Sequence, residues 1–185
     1  MNKVLVPLAQ GCEEIEAVTV VDVLRRAGIE VVTAGLAPGM VKASHGMQLV
    51  PDTTLDAVLE QPFDMVVLPG GMPGASHLAK DARLLELLRR MAGQGKYVAA
   101  ICAAPTVLAQ AGLLRGKAAT SYPGFLDQSP AEGMTYLSDA VVADGRIVTS
   151  RGPGTAMDFA LKLVELLAGE AKRREVEAGL VRSLP

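Results

Sequence analysis

The chain has 185 residues, half of them hydrophobic, and its 18 basic and 20 acidic side chains give a formal charge of −2. A chain of this size buries roughly 70% of the surface that its unfolded form exposes, so the composition excludes intrinsic disorder and predicts one globular domain over residues 1–185. The small negative charge excludes the basic surface on which nucleic-acid-binding proteins neutralise phosphates, and we expect no specific nucleic-acid binding.

The first apolar stretch, Val4 to Val6, is too short for the core of a secretory signal and far too short to span a bilayer. We therefore expect a cytoplasmic protein that does not bind membranes. In this reducing compartment Cys12 and Cys102 are expected to be free thiols, and two cysteines with two histidines argue against a structural zinc site.

Apolar runs rich in β-branched residues alternate with amphipathic segments along the chain, which is the βαβ pattern of a parallel sheet. In chain order the pattern predicts a strand at 4–8, a helix through 15–24, a strand at 29–34, a hairpin or edge strand within 41–50, a strand at 65–68, a helix through 84–91, a strand at 97–101 and a helix at 105–111. The rest of the chain predicts an antiparallel hairpin around Asp144-Gly145, a core helix at 156–167 and a polar helix at 170–178. The expected fold class is therefore α/β, with a mostly parallel sheet and helices on both faces.

Three unusual local sequences each follow a predicted parallel strand. Gly11 to Glu16 follows the first strand, Gly70-Gly71 follows the strand at 65–68, and Cys102 follows the strand at 97–101. Ligands of open α/β sheets bind at the carboxyl ends of the strands, where loops lead into helix N-termini. We therefore expect the functional site at this edge of the sheet.

Cys102 lies at a predicted strand-to-helix turn, with Ala100 and Ala104 two positions to either side. This spacing resembles a nucleophile elbow and predicts a reactive thiol; the alternative is a buried small side chain at a strand–helix junction. A helix N-terminus contributes about 0.3–1 kcal/mol, which lowers a thiol pKa by less than one unit at about 1.36 kcal/mol per unit. A thiolate therefore needs further donors, and the backbone N–H groups of Gly71 and Ala103 are candidates, although a Gly-Gly pair is also ordinary in turns.

Glu16 lies one turn into the predicted first helix, from where it could project over the neighbouring strand ends. Alternatively, it is simply a carboxylate favoured by the helix N-terminus, a role that suits Glu13 and Glu14 equally well. An ionised Glu16 beside Cys102 would raise the pKa of the thiol, whereas a protonated Glu16 would donate a hydrogen bond to the thiolate and could exchange a proton with substrate. The functional interpretation thus requires a raised or coupled pKa for Glu16.

Four short segments stand out together: Glu13-Glu14-Ile15-Glu16, Leu68-Pro69-Gly70-Gly71, AAICAAP at 99–105 and TSRGPGT at 149–155. In this order, and spread over nearly the whole chain, they resemble the ThiJ/PfpI family, in the branch of the Parkinson-disease-associated protein deglycase and its bacterial relatives. The resemblance implies a flavodoxin-like three-layer sandwich that forms homodimers. It also implies that Cys102 is a reactive, peroxide-sensitive cysteine, that Glu16 is its protonated partner, and that backbone groups cradle the sulfur. The backbone groups are those of Gly70, Gly71 and Ala103.

The same resemblance implies a cofactor-independent enzyme of the glyoxalase or deglycase type, a hydro-lyase or hydrolase. Its substrates would be small 2-oxoaldehydes such as methylglyoxal and glyoxal, or the glycated molecules that they form. Oxidative-stress protection and chaperone-like activity are further properties associated with the family. No cofactor and no metal are expected in the site.

Six further residues are expected to line the pocket: Cys12, His45, Tyr122, Arg151, Gly152 and Pro153. Tyr122 stands where many family members carry a histidine before a proline, so a third catalytic group is missing or is replaced by the phenol. His45 stands where a basic residue often approaches the pocket, or is a solvated loop histidine. Cys12 replaces a usual small residue, either as a resolving thiol or as a buried side chain.

Two other functions use the same cysteine. In an oxidative-stress sensor or redox-regulated chaperone, Cys102 would become a sulfinate held by protonated Glu16, with no turnover. A cysteine peptidase of this family would carry a histidine directly after the nucleophile, where this chain has Ala103. No glycine-rich phosphate-binding fingerprint follows the first strand, so nucleotide-dependent chemistry has no support.

Overall fold

A seven-stranded sheet forms the middle of the computed structural model, which describes residues 2–182. In chain order the strands are β1 (Lys3–Leu8), β2 (Glu30–Gly35), β3 (Val41–Lys42), β4 (Gln48–Leu49), β5 (Thr53–Thr54), β6 (Met65–Leu68), β7 (Tyr97–Ile101), β8 (Ala118–Ala119), β9 (Thr135–Tyr136), β10 (Val141–Asp144) and β11 (Ile147–Ser150). The α-helices are α1 (Glu14–Arg26), α2 (Gly74–Lys80), α3 (Ala82–Gly93), α4 (Pro105–Gln110), α5 (Ala156–Ala168) and α6 (Glu170–Gly179). Single 3₁₀ turns lie at Asp56–Val58 and Pro153–Thr155.

The strand order in the large sheet is β10-β11-β7-β6-β1-β2-β5. Neighbouring strands are parallel throughout, except that β10 runs antiparallel to β11. Strand β1 lies between β2 and β6, with Val4 opposite Val31 and Met65. The short strands β3 and β4 form a separate antiparallel hairpin. The predicted α/β fold with a mostly parallel sheet is confirmed.

Apolar layers cover both faces of the sheet. Successive side chains of β1 point to opposite faces, so Val4 and Val6 pack with α1 and α5 while Leu5 packs with α3 and α4. Phe159 of α5 and Leu88 of α3 are fully buried in these two layers. Burying one such side chain contributes about 1.5–3 kcal/mol. The two layers therefore fix the strand ends and the loops that follow them.

Helix α1 begins at a capping residue that also positions the site. Glu13 is the N-cap, and its Oε2 accepts a hydrogen bond from the Glu16 N–H at 2.8 Å. Arg25 and Arg26 lie in the last turn, where their charge suits the carbonyl end of a helix. The cap fixes Glu16 in the first turn, as the sequence predicts.

Four short elements have no counterpart in the sequence prediction: α2, β5, β8 and β9. Helix α2 starts at Gly74, directly after Pro73, and its seven residues include only Gly74, Ala75 and Leu78 as buried positions. It is therefore too short for an apolar stripe to appear. Strand β5 and the β8–β9 pair have two residues per strand, which is too few for alternation to be visible.

The two C-terminal helices differ in character, as predicted. One stripe of α5 is buried, whereas α6 is polar and pairs its basic side chains with its own glutamates, for example Arg174 with Glu170 at 2.6 Å. None of the helices in the part of the chain that the structure describes is both long enough and apolar enough to cross a bilayer.

Candidate active site

The carboxyl ends of β1, β6 and β7 lie side by side because these strands are neighbours in the sheet. A Cβ atom placed on Gly70, just after β6, would lie 2.7 Å from Cys102 Cβ and 2.9 Å from Glu16 Oε2. Glu16 follows β1 and Cys102 follows β7, so both side chains reach the same glycine. The three segments that the sequence singled out therefore meet at one edge of the sheet.

Cys102 has a backbone φ of +66°, which is uncommon for a residue with a side chain. Its N–H donates to the Ser150 carbonyl at 3.0 Å, and its carbonyl accepts from the Tyr122 N–H at 2.9 Å. These bonds hold a conformation that costs about 1–3 kcal/mol. Helix α4 begins three residues later at Pro105. The turn is the predicted elbow, and the residue is 8% exposed.

The Glu16 carboxyl is completely buried beside Cys102. Its Oε2 accepts from the Gly70 N–H at 2.8 Å, whereas Oε1 has no hydrogen-bond partner among residues 2–182. A buried carboxylate with so few donors favours its neutral form. Burial raises the pKa of Glu16 to about 7, while the hydrogen bond from Gly70 and the interaction with Cys102 oppose the rise and the charge of Glu13 adds to it.

Burial also raises the pKa of the Cys102 thiol, to about 12, and the negative charge of Glu16 is the next largest cause. The backbone N–H groups of Gly71 and Ala103 act in the opposite direction. The charge effect exists only while Glu16 is ionised, so protonation of Glu16 removes it; burial still disfavours the thiolate, and the two N–H groups oppose that effect. The protonation state of Glu16 therefore influences the pKa of the Cys102 thiol.

Gly70 differs from its expected role. The resemblance groups it with the backbone that cradles the sulfur, but its N–H is bonded to Glu16 and its carbonyl accepts from the Glu13 N–H at 3.0 Å. The next residue, Gly71, has a φ of +85°, and a Cβ atom there would lie 2.4 Å from the Glu13 nitrogen. The two loops thus pack backbone against backbone. Gly70 positions the carboxyl, and Gly71 directs its N–H toward the cysteine.

Cys12 is fully buried in the loop between β1 and α1. Burial raises the pKa of its thiol to about 11, and the charge of Glu14 adds to the rise. Its N–H donates to the Ala9 carbonyl, and its own carbonyl accepts from the Ser44 N–H at 2.8 Å. Cys12 is thus a packed small side chain, and the resolving role of its thiol stays a prediction.

His45 lies in the turn between β3 and β4, with a side chain that is 75% exposed. Its backbone N–H donates to Glu14 Oε1 at 3.0 Å, and its ring Nδ1 lies 3.4 Å from Glu14 Oε2. No hydrogen bond among the described residues joins it to Cys102. The structure therefore brings His45 to the carboxylates at the start of α1.

Tyr122 forms one wall of an open groove beside the elbow. The groove has a volume of about 200 Å³ and is lined by Tyr122, Pro123 and residues 151–155. The phenol ring lies over Gly152, where a Cβ atom would be 3.0 Å from ring Cδ2. The Arg151 guanidinium donates to the Ser138 carbonyl at 3.0 Å. The predicted pocket residues Tyr122, Arg151, Gly152 and Pro153 are thus together.

Ser150 is a site residue that the sequence analysis missed. Its carbonyl holds the Cys102 N–H, and its hydroxyl lies 2.7 Å from Thr155 Oγ1, at the start of α5. In the pairing of β11 with β7, Ser150 is opposite Ile101, directly before the cysteine. Knowledge of the strand order would have placed Ser150 beside Cys102.

Glu16→Gln should change how stability depends on pH. The folded-state pKa of Glu16, about 7, lies above its ordinary value of 4.5, so the folded state binds more protons than the unfolded state. The wild type therefore loses stability as the pH rises between about 4.5 and 7, through this group. Glutamine keeps an acceptor for the Gly70 N–H but does not titrate, so its free energy of unfolding should fall less. Urea unfolding across this pH range measures the difference.

Glu14→Gln is the matched control for that experiment. Burial acts to raise the pKa of Glu14, but N–H donors that include that of His45, with the Ser44 hydroxyl, outweigh it and lower the pKa to about 2. The carboxylate is therefore ionised in both states above about pH 5, and this variant should run parallel to the wild type. A Glu16→Gln profile that also runs parallel to the wild type would contradict the raised pKa.

Comparison with known proteins places the chain in a family. Residues 2–166 match the model of the DJ-1/PfpI family. Protein dj-1beta of Drosophila melanogaster is 50% identical over 179 residues, which cover 96% of this chain and 95% of that protein. The crystal structure of Drosophila melanogaster DJ-1beta matches with a TM-score of 0.95 and 47% identity, covering 99% of each chain.

A Caenorhabditis elegans protein named glutathione-independent glyoxalase DJR-1.2 is 42% identical over 163 residues, which cover 88% of this chain and 87% of that protein. These similarities confirm the resemblance seen in the sequence motifs, and the structural match confirms the flavodoxin-like α/β fold. The family match spans both Glu16 and Cys102. The chain belongs to the DJ-1/PfpI family.

Proposed function

We propose that this chain is a cysteine-dependent, cofactor-independent enzyme of stress protection, which converts methylglyoxal, glyoxal or their adducts to hydroxy acids. The observation that carries the proposal is the contact of Cys102 with a buried carboxyl, Glu16, whose pKa of about 7 suits proton transfer near neutral pH. The similarity to a protein named as a glutathione-independent glyoxalase supports the same reaction class. The whole chain, 1–185, would act as a single domain.

The first step is addition of the Cys102 sulfur to the aldehyde carbon of methylglyoxal. The proton that the Cys102–Glu16 pair holds moves to the aldehyde oxygen, which gives a hemithioacetal. Glu16 then takes the C–H proton and passes it to the ketone oxygen, giving an enediol. It next takes the proton of the first hydroxyl and places it on the second carbon, which gives a thioester between Cys102 and lactate.

Water then cleaves the thioester, releasing lactic acid and restoring the thiol. One methylglyoxal and one water become one lactic acid, so the reaction is an internal redox rearrangement that needs no external oxidant. The N–H groups of Gly71 and Ala103 favour the charged sulfur as attacking and leaving group. The Gly70 N–H holds the Glu16 carboxyl beside Cys102, the residue to which the substrate would be bonded.

The environment of the thiol favours small substrates. Cys102 is only 8% exposed, so the reacting aldehyde has to be slender. The groove of about 200 Å³ beside Tyr122 offers room for the remainder of a glycated amino acid. We therefore propose free 2-oxoaldehydes first and their amino-acid adducts second.

A redox sensor is a second candidate for the same thiol. Cys102 is 8% exposed whereas Cys12 is 0% exposed, so peroxide reaches Cys102 more readily. Two peroxide molecules would each deliver one oxygen and leave as water, giving a sulfinate to which protonated Glu16 donates a hydrogen bond. The cytoplasm, which keeps thiols reduced, suits either function.

We further propose that the chain forms homodimers through α1. The exposed face of this helix carries Ile15 and Val18, which are 54% and 45% exposed. Val18, Leu49 and Val50 form the apolar part of a shallow groove that Asp22, Arg25 and Asp52 also line, and Val50 is 76% exposed. A second copy of the same face would cover these side chains.

Cys102→Ser should abolish the conversion of methylglyoxal to lactate, because a serine hydroxyl in this site is a far poorer nucleophile than a thiolate. Glu16→Gln should lower kcat by about a hundredfold or more, the usual contribution of a general acid–base group. Cys12→Ser, which removes the other thiol, should keep the activity. Enzymatic detection of lactate measures the activity of all three variants. Turnover that survives in Cys102→Ser would contradict the mechanism.

Mild peroxide should add two oxygens to Cys102 before it modifies Cys12 or the eight methionines. Peptide mass spectrometry measures the oxygen added to each of these residues. Selective oxidation without methylglyoxal turnover would favour the sensor over the enzyme. Oxidation that begins at Cys12 or at methionines would reject the sensor.

Val18→Asp should shift the protein toward monomers, because the new charge would be buried in the proposed dimer. Ala82→Asp, at an exposed position of α3 on the opposite face of the sheet, is the control and should leave the mass unchanged. Sedimentation equilibrium measures the mass of each variant. Equal masses for Val18→Asp and the wild type would assign the interface elsewhere.

A further inference from the structure

Two hydroxyl groups that the proposed reaction does not use meet where β11 ends. Ser150 is the last residue of β11 and is completely buried, and Thr155 is the last residue of the 3₁₀ turn before α5. Their side-chain oxygens lie 2.7 Å apart. Both belong to the segment TSRGPGT at 149–155, so the reaction leaves this part of the segment without a role.

The hydrogen bonds run in one direction through the two hydroxyls. The Ser150 hydroxyl donates to the Ala140 carbonyl at 2.7 Å, so its one proton is engaged and its oxygen accepts from Thr155. The Thr155 oxygen in turn accepts from the Gly152 N–H at 3.1 Å. The Gly152 carbonyl, 3.0 Å from the same oxygen, already accepts from the Thr155 N–H. Each hydroxyl is thus both a donor and an acceptor.

This series of hydrogen bonds fixes the residue that holds Cys102. Strand β11 pairs with β7 as far as Ser150, opposite Ile101, and the pairing ends there. The Ser150 carbonyl accepts from the Cys102 N–H at 3.0 Å. The Ser150 side chain is bonded to Ala140 on one side and to Thr155 on the other, so both bonds restrain the end of the strand.

Cys102 needs a firm partner because its backbone φ of +66° is strained, and strained residues persist only where their surroundings hold them. A rotation about the Cys102 backbone moves the sulfur and also the Ala103 N–H, which belongs to the next peptide group. That N–H is one of the two groups that lower the pKa of the thiol. A displaced Ser150 carbonyl would therefore turn a donor away from the sulfur.

We propose that Thr155 and Ser150 are positioning residues for Cys102. Their hydroxyl pair keeps the Ser150 carbonyl on the Cys102 N–H, and this bond keeps the Ala103 N–H directed at the sulfur. The proposal concerns the reactivity of the thiol itself. It goes beyond the proposed function, because an enzyme and a redox sensor would both need the same thiolate.

The rate at which iodoacetamide alkylates Cys102 tests this role, because alkylation consumes the thiolate and requires no turnover. Thr155→Val keeps the shape of the side chain and removes the hydroxyl. We expect it to lower the rate about tenfold at a fixed pH of about 8, because a weaker hydrogen bond to the thiolate leaves less of it. Thr155→Ser, which keeps the hydroxyl, should retain the wild-type rate. Peptide mass spectrometry follows Cys102 separately from Cys12.

Thr33→Val is the matched control for the loss of a hydroxyl. Thr33 lies on β2, with β6 and β1 between it and β7, and its hydroxyl lies 2.8 Å from Asp52 Oδ2. This variant should lower Tm and leave the alkylation rate of Cys102 unchanged. Equal slowing in Thr33→Val and Thr155→Val would overturn the proposal, because general loosening of the fold would then explain both.

Ser150→Ala removes the other hydroxyl and provides a second test if Thr155→Val does not fold. It should slow alkylation to a similar extent, with a circular dichroism spectrum like that of the wild type. A wild-type rate in folded Thr155→Val or Ser150→Ala would overturn the proposal. So would a rate in Thr155→Ser as low as that in Thr155→Val.

Discussion

Protein encloses the Glu16 carboxyl on all sides, and the Gly70 N–H donates a hydrogen bond to it at 2.8 Å. A full negative charge in this position would have no cation beside it, and an unpaired buried charge is strongly unfavourable. The carboxyl therefore keeps a proton at a pH where an exposed glutamate has lost it. Because Cys102 is in contact with the same glycine, the charge of Glu16 acts directly on the sulfur: ionised Glu16 raises the pKa of the thiol, and protonation of Glu16 removes that effect.

The surrounding helix and strands position Glu16 and Cys102 for this contact. Glu16 comes from the first turn of α1, which Glu13 caps, and Cys102 comes from the end of β7. Between them, Gly70 follows the end of β6, and any side chain there would collide with both partners. Three adjacent strands and the absence of a side chain at Gly70 thus determine the position of Glu16 and Cys102. Glycine is required at position 70 because both residues approach its backbone too closely for a Cβ atom.

The sequence predicted the long elements well, because buried parallel strands are continuous apolar runs and buried helices carry a stripe. It also selected Cys102 and Glu16 as candidates, because each follows an apolar strand at the same edge of the predicted sheet; their catalytic roles stay predictions. The contact of the two followed only when strand order placed β1, β6 and β7 together.

The parts that escaped prediction are made by the main chain or by very short elements. The Ser150 and Tyr122 backbones hold Cys102 through groups that every residue possesses, so no residue type marks them. His45 was expected near the pocket, but it stands on a hairpin with two residues per strand, whose direction the pattern does not reveal. The hydrogen bond between His45 and Glu14 depends on how this hairpin packs against α1.

The backbone conformation of Cys102 lowers the stability of the fold while it positions the thiol. Its φ of +66° is a conformation that glycine adopts freely, so glycine at this position would relieve a strain of about 1–3 kcal/mol. Domains are typically stable by only about 5–15 kcal/mol in all. Selection for stability alone would therefore favour losing the thiol at this elbow. A chain that keeps a cysteine at this position has a lower free energy of unfolding, and in return its sulfur atom is fixed beside Glu16.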